Sequence, residues 1–208
     1  MHDCLHPRRT LIGLLLAVLV VAGCAKAPEP LQVATRLPQP RPLPNFALQT
    51  AGPTPLTPAA LRGHPTLLFF GFANCPEICP TTLTTLASAV RRLSYLPATE
   101  QPLILFVSVD PKRDTPERLA QYAGHFGGHV QAASADAMTL DALTRAVGAH
   151  YALPADADPV RGYAVEHSGQ VYVLNTAGQF MAVFSPPHDA AIMAADLRRL
   201  LDGSGASP

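Results

Sequence analysis

Two uninterrupted apolar runs, Thr66 to Gly71 and Leu103 to Val109, do most to set what this chain can fold into. A strand with one wet face alternates apolar and polar side chains, whereas a continuous apolar run belongs to a strand covered on both faces. Between them, from about Thr81 to Leu93, Leu83, Leu86, Ala87 and Val90 recur on one side at helical spacing. After Val109, Thr115 as cap and Pro116 as first residue begin a helix to about Phe126. A third strand near Val130 to Ala133 precedes a helix capped by Thr139 and running to Val147.

The stretch Tyr151 to Val165 holds Pro154, Pro159 and Gly162 and reads as a loop or short hairpin. Val171 to Asn175, the turn Thr176-Ala177-Gly178 and Gln179 to Phe184 make a second hairpin. Asp189 caps a last helix, with Leu197, Leu200 and Leu201 facing the core before Gly203 ends it. Thr57-Pro58 opens a short helix through Leu61, after a small strand near Phe46 to Leu48. The order is β-α-β-α-β-α-β-β-α. An α/β, thioredoxin-like fold with an N-terminal extension and an inserted hairpin is the economical reading.

Upstream of this unit the composition changes. Arg8 and Arg9 precede an uncharged apolar stretch from Leu11 to Ala22, too short to span a bilayer and laid out as a secretory signal. It ends in Val21-Ala22-Gly23-Cys24, which resembles a bacterial lipobox, so residues 1–23 are expected to be a lipoprotein signal peptide and Cys24 the lipidated residue. Residues 24–44, with Pro28, Pro30, Pro38, Pro40, Pro42 and Pro44, are expected to be an extended membrane tether. The folded domain is then residues 45–203, with a disordered tail over 204–208. This layout places the domain on the periplasmic side of a bacterial membrane, held there by a lipid. The inner membrane is the expected location, although Ala25 rather than Asp follows Cys24. The formal net charge is zero and charged residues make up 14% of the chain, which gives no footing for nucleic-acid binding.

Of the four cysteines, only Cys75 and Cys79 fall in the folded domain. They follow the first apolar run in Gly71-Phe72-Ala73-Asn74-Cys75-Pro76-Glu77-Ile78-Cys79-Pro80. Residues four apart share one face of a helical turn, so both sulfurs can reach one soft ion or each other. A structural disulfide is a poor account, because closing so short a loop gains little. The spacing also differs from the C-x-x-C of general disulfide oxidoreductases. Copper leads and thioredoxin-type redox chemistry follows. A third donor would complete a trigonal site. His167 immediately precedes the strand that lies beside the cysteine-bearing one in a thioredoxin-like sheet, whereas His64, His125, His129, His150 and His188 lack a partner at ligand spacing.

Three motifs occur in order: Gly71-Phe72-x-x-Cys75-Pro76-x-x-Cys79-Pro80-Thr81-Thr82-Leu83, then Val107-Ser108-Val109-Asp110-Pro111-x-Arg113-Asp114-Thr115-Pro116, then His167-Ser168. In these the chain resembles the Sco/SenC family of copper chaperones, from roughly Phe46 to Leu201. The resemblance implies one copper ion, Cu(I) and in some states Cu(II), bound through Cys75, Cys79 and His167. It also implies delivery to the copper-bearing subunit of cytochrome c oxidase, with an upstream copper donor or thiol reductant. Glu166 stands where the family usually has Asp. Asp110, Arg113 and Glu166 are candidates to orient the ligands from behind. Equally, Asp110-Pro111 and Asp114-Thr115 could simply build a turn and a helix start.

Delivery requires no substrate turnover, but the same thiols could instead reduce a partner's disulfide, making the chain a membrane-tethered thiol-disulfide reductase. A copper or redox sensor would use the same ligands. A peroxidase would need a polar set around one reactive cysteine, and the sequence offers no such pattern.

Overall fold

In the computed structural model, which describes residues 29–158, 160 and 162–204, the two apolar runs become neighbouring central strands. The strands are β1 Ala34–Pro42, β2 Thr66–Gly71, β3 Leu103–Ser108, β4 Val130–Ala133, β5 Tyr151–Ala152, β6 Glu166–His167, β7 Val171–Leu174 and β8 Gln179–Phe184. The helices are α1 Ile78–Arg92, α2 Pro116–Gly124, α3 Ala137–Val147 and α4 Ala190–Ser204. Six strands form one sheet in the order β1-β8-β7-β2-β3-β4, and β5 with β6 forms a separate two-stranded ribbon. β2, β3 and β4 run parallel, joined by α1 and α2, while β7 is antiparallel to β2. Every residue of β2 is buried, as its unbroken apolar sequence requires.

The local signals account for most element ends. Thr115 accepts from the Arg118 amide to cap α2, with Pro116 at its first position. The cap of α3 is Asp136, whose carboxylate accepts from the Thr139 amide at 2.7 Å. Thr139, expected as the cap, is therefore inside the helix, since a carboxylate at this position satisfies the free N–H groups better than a hydroxyl one turn on. Asp189 caps α4 by accepting from Ala191 and Ile192. The expected strand near Phe46 reduces to isolated bridges, Leu48 to Leu56 and Gln49 to Ser134.

The larger correction concerns residues 24–44. Ala34–Pro42 is a strand of the sheet, antiparallel to β8, with a register shift between Arg36 and Arg41. Proline is tolerated here because β1 is the outermost strand. Pro38 and Pro40 fall within the shifted stretch between Arg36 and Arg41, where the ladder to β8 is interrupted and no N–H is required of them. A row of prolines on an outer strand also blocks pairing with a further strand. Leu31, Leu37 and Leu43 pack against the core. The amides of Gln32, Val33 and Ala34 all donate to the fully buried carboxylate of Asp196 on α4, at 2.8–2.9 Å. The folded unit thus begins by Leu31, not Asn45. Residues 1–28, with the expected signal segment and Cys24, lie outside the described residues, as do 205–208; Ser204 closes α4.

Candidate metal centre

The site is assembled by sheet register. Val171 of β7 pairs with Phe69 of β2, so the residue four positions before Val171 arrives beside the segment that follows Gly71. That residue is His167, and the segment carries Cys75 and Cys79. Cys79 lies in the first turn of α1 and is buried; Cys75 precedes the helix and is partly exposed. The pair therefore does not share one helical turn, as spacing alone predicts. Instead the Cys79 amide donates to the Cys75 sulfur at 3.3 Å. Glu77, at the helix boundary, makes no side-chain cap bond, so Cys75 satisfies an amide that the helix start would leave free.

Gly71 makes room for the buried thiol. A Cβ there would sit 2.6 Å from Cys79 Sγ and 2.7 Å from Phe106 Cε2.

His167 lies on β6, opposite Tyr151 of β5. The ribbon is closed by Ser168 N donating to the His150 carbonyl at 2.8 Å and by His150 N donating to Ser168 Oγ at 2.7 Å. The imidazole Nδ1 lies 3.1 Å from the Ser168 carbonyl. With Nδ1–H donating there, the Nε2 lone pair faces Cys79 Sγ at 3.3 Å. Phe69 and Phe72 meet the ring edge-on, at centroid distances of 6.0 and 5.8 Å. The donor atoms of Cys75, Cys79 and His167 all lie within 4.8 Å of one another, the single such group among the described residues.

The electrostatics fit a site filled by a cation. Burial pushes the Cys79 thiol far above the usual thiol range, with Cys75 and Asp114 adding to this and the Phe72 backbone opposing it. Burial also lowers the His167 pKa, opposed by the Ser168 and Phe70 backbone groups. Without a cation the favoured state is a protonated Cys79 against a neutral imidazole. A soft metal ion replaces that proton and relieves the desolvated thiolate. Two sulfurs and one nitrogen are a donor set for copper or zinc, and the partly exposed Cys75 leaves one approach to the ion open.

Around these donors the structure distributes the acidic residues differently from the sequence reading. Asp110 reaches none of the three; it accepts from Arg113 Nε and from Tyr163 Oη, the latter at 2.6 Å. Asp114 accepts from the Ala73 amide at 2.8 Å and from Ser108 Oγ at 2.7 Å, stapling the cysteine loop to the end of β3. Burial raises the Asp114 pKa, while Ser108 and Ala73 lower it. Arg118 pairs with Asp114 and reaches Asn74 in the same loop. Glu166 is exposed, and alternation along β6 sets it on the face opposite His167, so it does not orient the imidazole. Sequence reasoning overlooked Gly71, Phe72 and Tyr163 as parts of the site. All three stand within the motif neighbourhoods, but only the fold brings them together.

The comparisons with known proteins point to one family. Residues 35–202 match the SCO1/SenC family model. The chain is 34% identical over 142 residues to the mitochondrial SCO2 homolog of Bos taurus, covering 68% of this chain and 53% of that protein. It thus spans about half the length of that relative. Apo Sco1 of Thermus thermophilus superposes with a TM-score of 0.67 at 31% identity, over 80% of this chain and 94% of that one. ScoI of Bradyrhizobium japonicum, solved with copper bound, superposes with a TM-score of 0.65 at 28% identity, over 76% and 98% of the two chains.

Proposed function

Because the chain belongs to the SCO1/SenC family, we propose that it is a copper metallochaperone. It binds one copper ion through Cys75, Cys79 and His167 and passes it to the copper-bearing subunit of cytochrome c oxidase. The observation that carries this reading is the convergence of two thiols and an imidazole within 4.8 Å at one edge of the sheet.

Loading exchanges protons for copper: both thiols give up a proton and the imidazole supplies a lone pair. Unloading is ligand exchange. An incoming thiolate of the recipient reaches the ion from the side of the partly exposed Cys75, and Cu–S bonds to the recipient form as those to this chain break. No free ion appears. Cys79, buried beneath Gly71, lets go last. Lipidation at Cys24 would hold the domain on the periplasmic side of a bacterial membrane, at the inner membrane where the oxidase is reached.

The test is a competition titration with Cu(I). Cys75→Ser and Cys79→Ser each lose tight binding, leaving one thiolate, and two variants retaining wild-type affinity would end the assignment. His167→Ala weakens Cu(I) only partly, because two thiolates suffice for it. The same variant abolishes the thiolate-to-Cu(II) charge-transfer band.

A further inference from the structure

His167 stands on a short ribbon outside the main sheet, and what fixes that ribbon against the cysteine loop lies in the connection before it. Tyr163, four residues upstream, donates its hydroxyl to Asp110 Oδ1 at 2.6 Å. The Arg113 guanidinium lies 3.6 Å from the Tyr163 ring centroid and 5.7 Å from that of Phe72. The Arg113 Nε donates to Asp110 Oδ2. Phe72 in turn meets the His167 ring edge-on. One contiguous stack therefore runs from Asp110 and Arg113, at the end of β3, through Tyr163 and Phe72 to the imidazole.

Stability alone does not explain an arginine here. The side chain is only 8% exposed, and its Nη2 is buried with no hydrogen-bond partner. A desolvated guanidinium with an orphan nitrogen costs free energy that an apolar residue of the same volume would not. What arginine supplies is a flat cation that lies on an aromatic face while donating in its plane to a carboxylate, which lysine cannot reproduce.

We propose that Arg113 and Tyr163 are positioning residues for copper binding: their stack, anchored on Asp110, holds residues 163–167 so that His167 Nε2 faces Cys79 Sγ. This rests on the copper reading above. Neither residue touches the ion. The stack selects between two- and three-donor states of the site, because Cys75 and Cys79 are also held through α1 and the Asp114 staple, neither of which involves Tyr163.

The test compares Tyr163→Ala, Tyr163→Phe and Arg113→Lys in the purified protein. With Cu(II), Tyr163→Ala loses the histidine nitrogen coupling in electron paramagnetic resonance, and its Cu(II) affinity falls about tenfold or more. Its Cu(I) affinity stays within about threefold, the two thiolates being undisturbed. Tyr163→Phe keeps the ring on Arg113 and loses only the hydroxyl, so it falls between wild type and Tyr163→Ala. Arg113→Lys behaves like Tyr163→Ala if it folds. A second readout needs no copper: amide exchange at residues 164–168 of the metal-free protein rises in Tyr163→Ala, with β2 unchanged. Wild-type nitrogen coupling and wild-type exchange in Tyr163→Ala would overturn the proposal. If instead the wild-type coupling survives His167→Ala, the ligand assignment fails, and the exchange result still decides whether Tyr163 holds the ribbon.

Discussion

Gly71→Ala tests whether the Cys79 sulfur is held where the geometry places it. The new methyl carbon would lie 2.6 Å from Cys79 Sγ and 2.7 Å from Phe106 Cε2. Ordinary contacts between such atoms are about 3.5–4 Å, so something must move by about 1 Å. β2 cannot retreat, because Gly71 is paired with Ser108 in β3 and Thr66 to Phe69 are paired on both sides. Phe106 is fully buried between packed neighbours. The Cys79 sulfur is buried as well, but it ends a short side chain on the first turn of α1, outside the paired strands, and yields first. Overpacking of this kind costs about 1–3 kcal/mol, which in a domain of this size lowers Tm by about 2–12 °C. Metal–ligand distances tolerate about 0.2 Å, so a 1 Å displacement is expected to weaken Cu(I) binding about tenfold, or about 1.4 kcal/mol. The assay pairs thermal unfolding of the metal-free protein with Cu(I) competition. A variant with unchanged Tm and unchanged affinity would refute the steric argument. A lowered Tm with wild-type affinity would show that Phe106, and not the thiol, takes up the strain.

Asp196 ties the N-terminal strand to α4. Burial raises its pKa, but the Val33, Ala34 and Gln32 amides together with Arg199 outweigh this and hold it below the usual carboxylate range. A depressed folded-state pKa contributes stability that is present above the unfolded value near 3.9 and fades as pH falls through the folded one. Asp196→Asn should cost about 2–3 kcal/mol at neutral pH and flatten the fall of Tm as pH drops below the unfolded carboxylate value; an unchanged profile counts against the contact. Replacing residues 34–42 by a Gly/Ser linker of equal length should lower Tm by about 5 °C or more, because an edge strand and the Leu37 packing are lost. An unchanged Tm would mean that β1 adds nothing to the fold.

The central strands and the helix between them were legible in the sequence, because each rests on local rules, whereas His167 was singled out beside the two cysteines chiefly by the family motifs. Continuous apolar runs mean two-sided burial, helical spacing exposes a face, and soft ligands announce themselves by residue type. What sequence could not supply was anything set by register between distant segments. Pairing of Val171 with Phe69 brings His167 within 3.3 Å of Cys79, though the two are separated by 88 positions. Pairing of β1 with β8 turns a Pro-rich stretch, read locally as tether, into an outer strand. Proline content reports which N–H groups are missing; only a sheet with a free edge decides that none is needed there. Likewise Asp110 and Glu166 looked equivalent as carboxylates near the motifs. The fold gave one to Arg113 and Tyr163 and the other to solvent, because alternation along β6 allows only one of two neighbouring side chains to face the thiols.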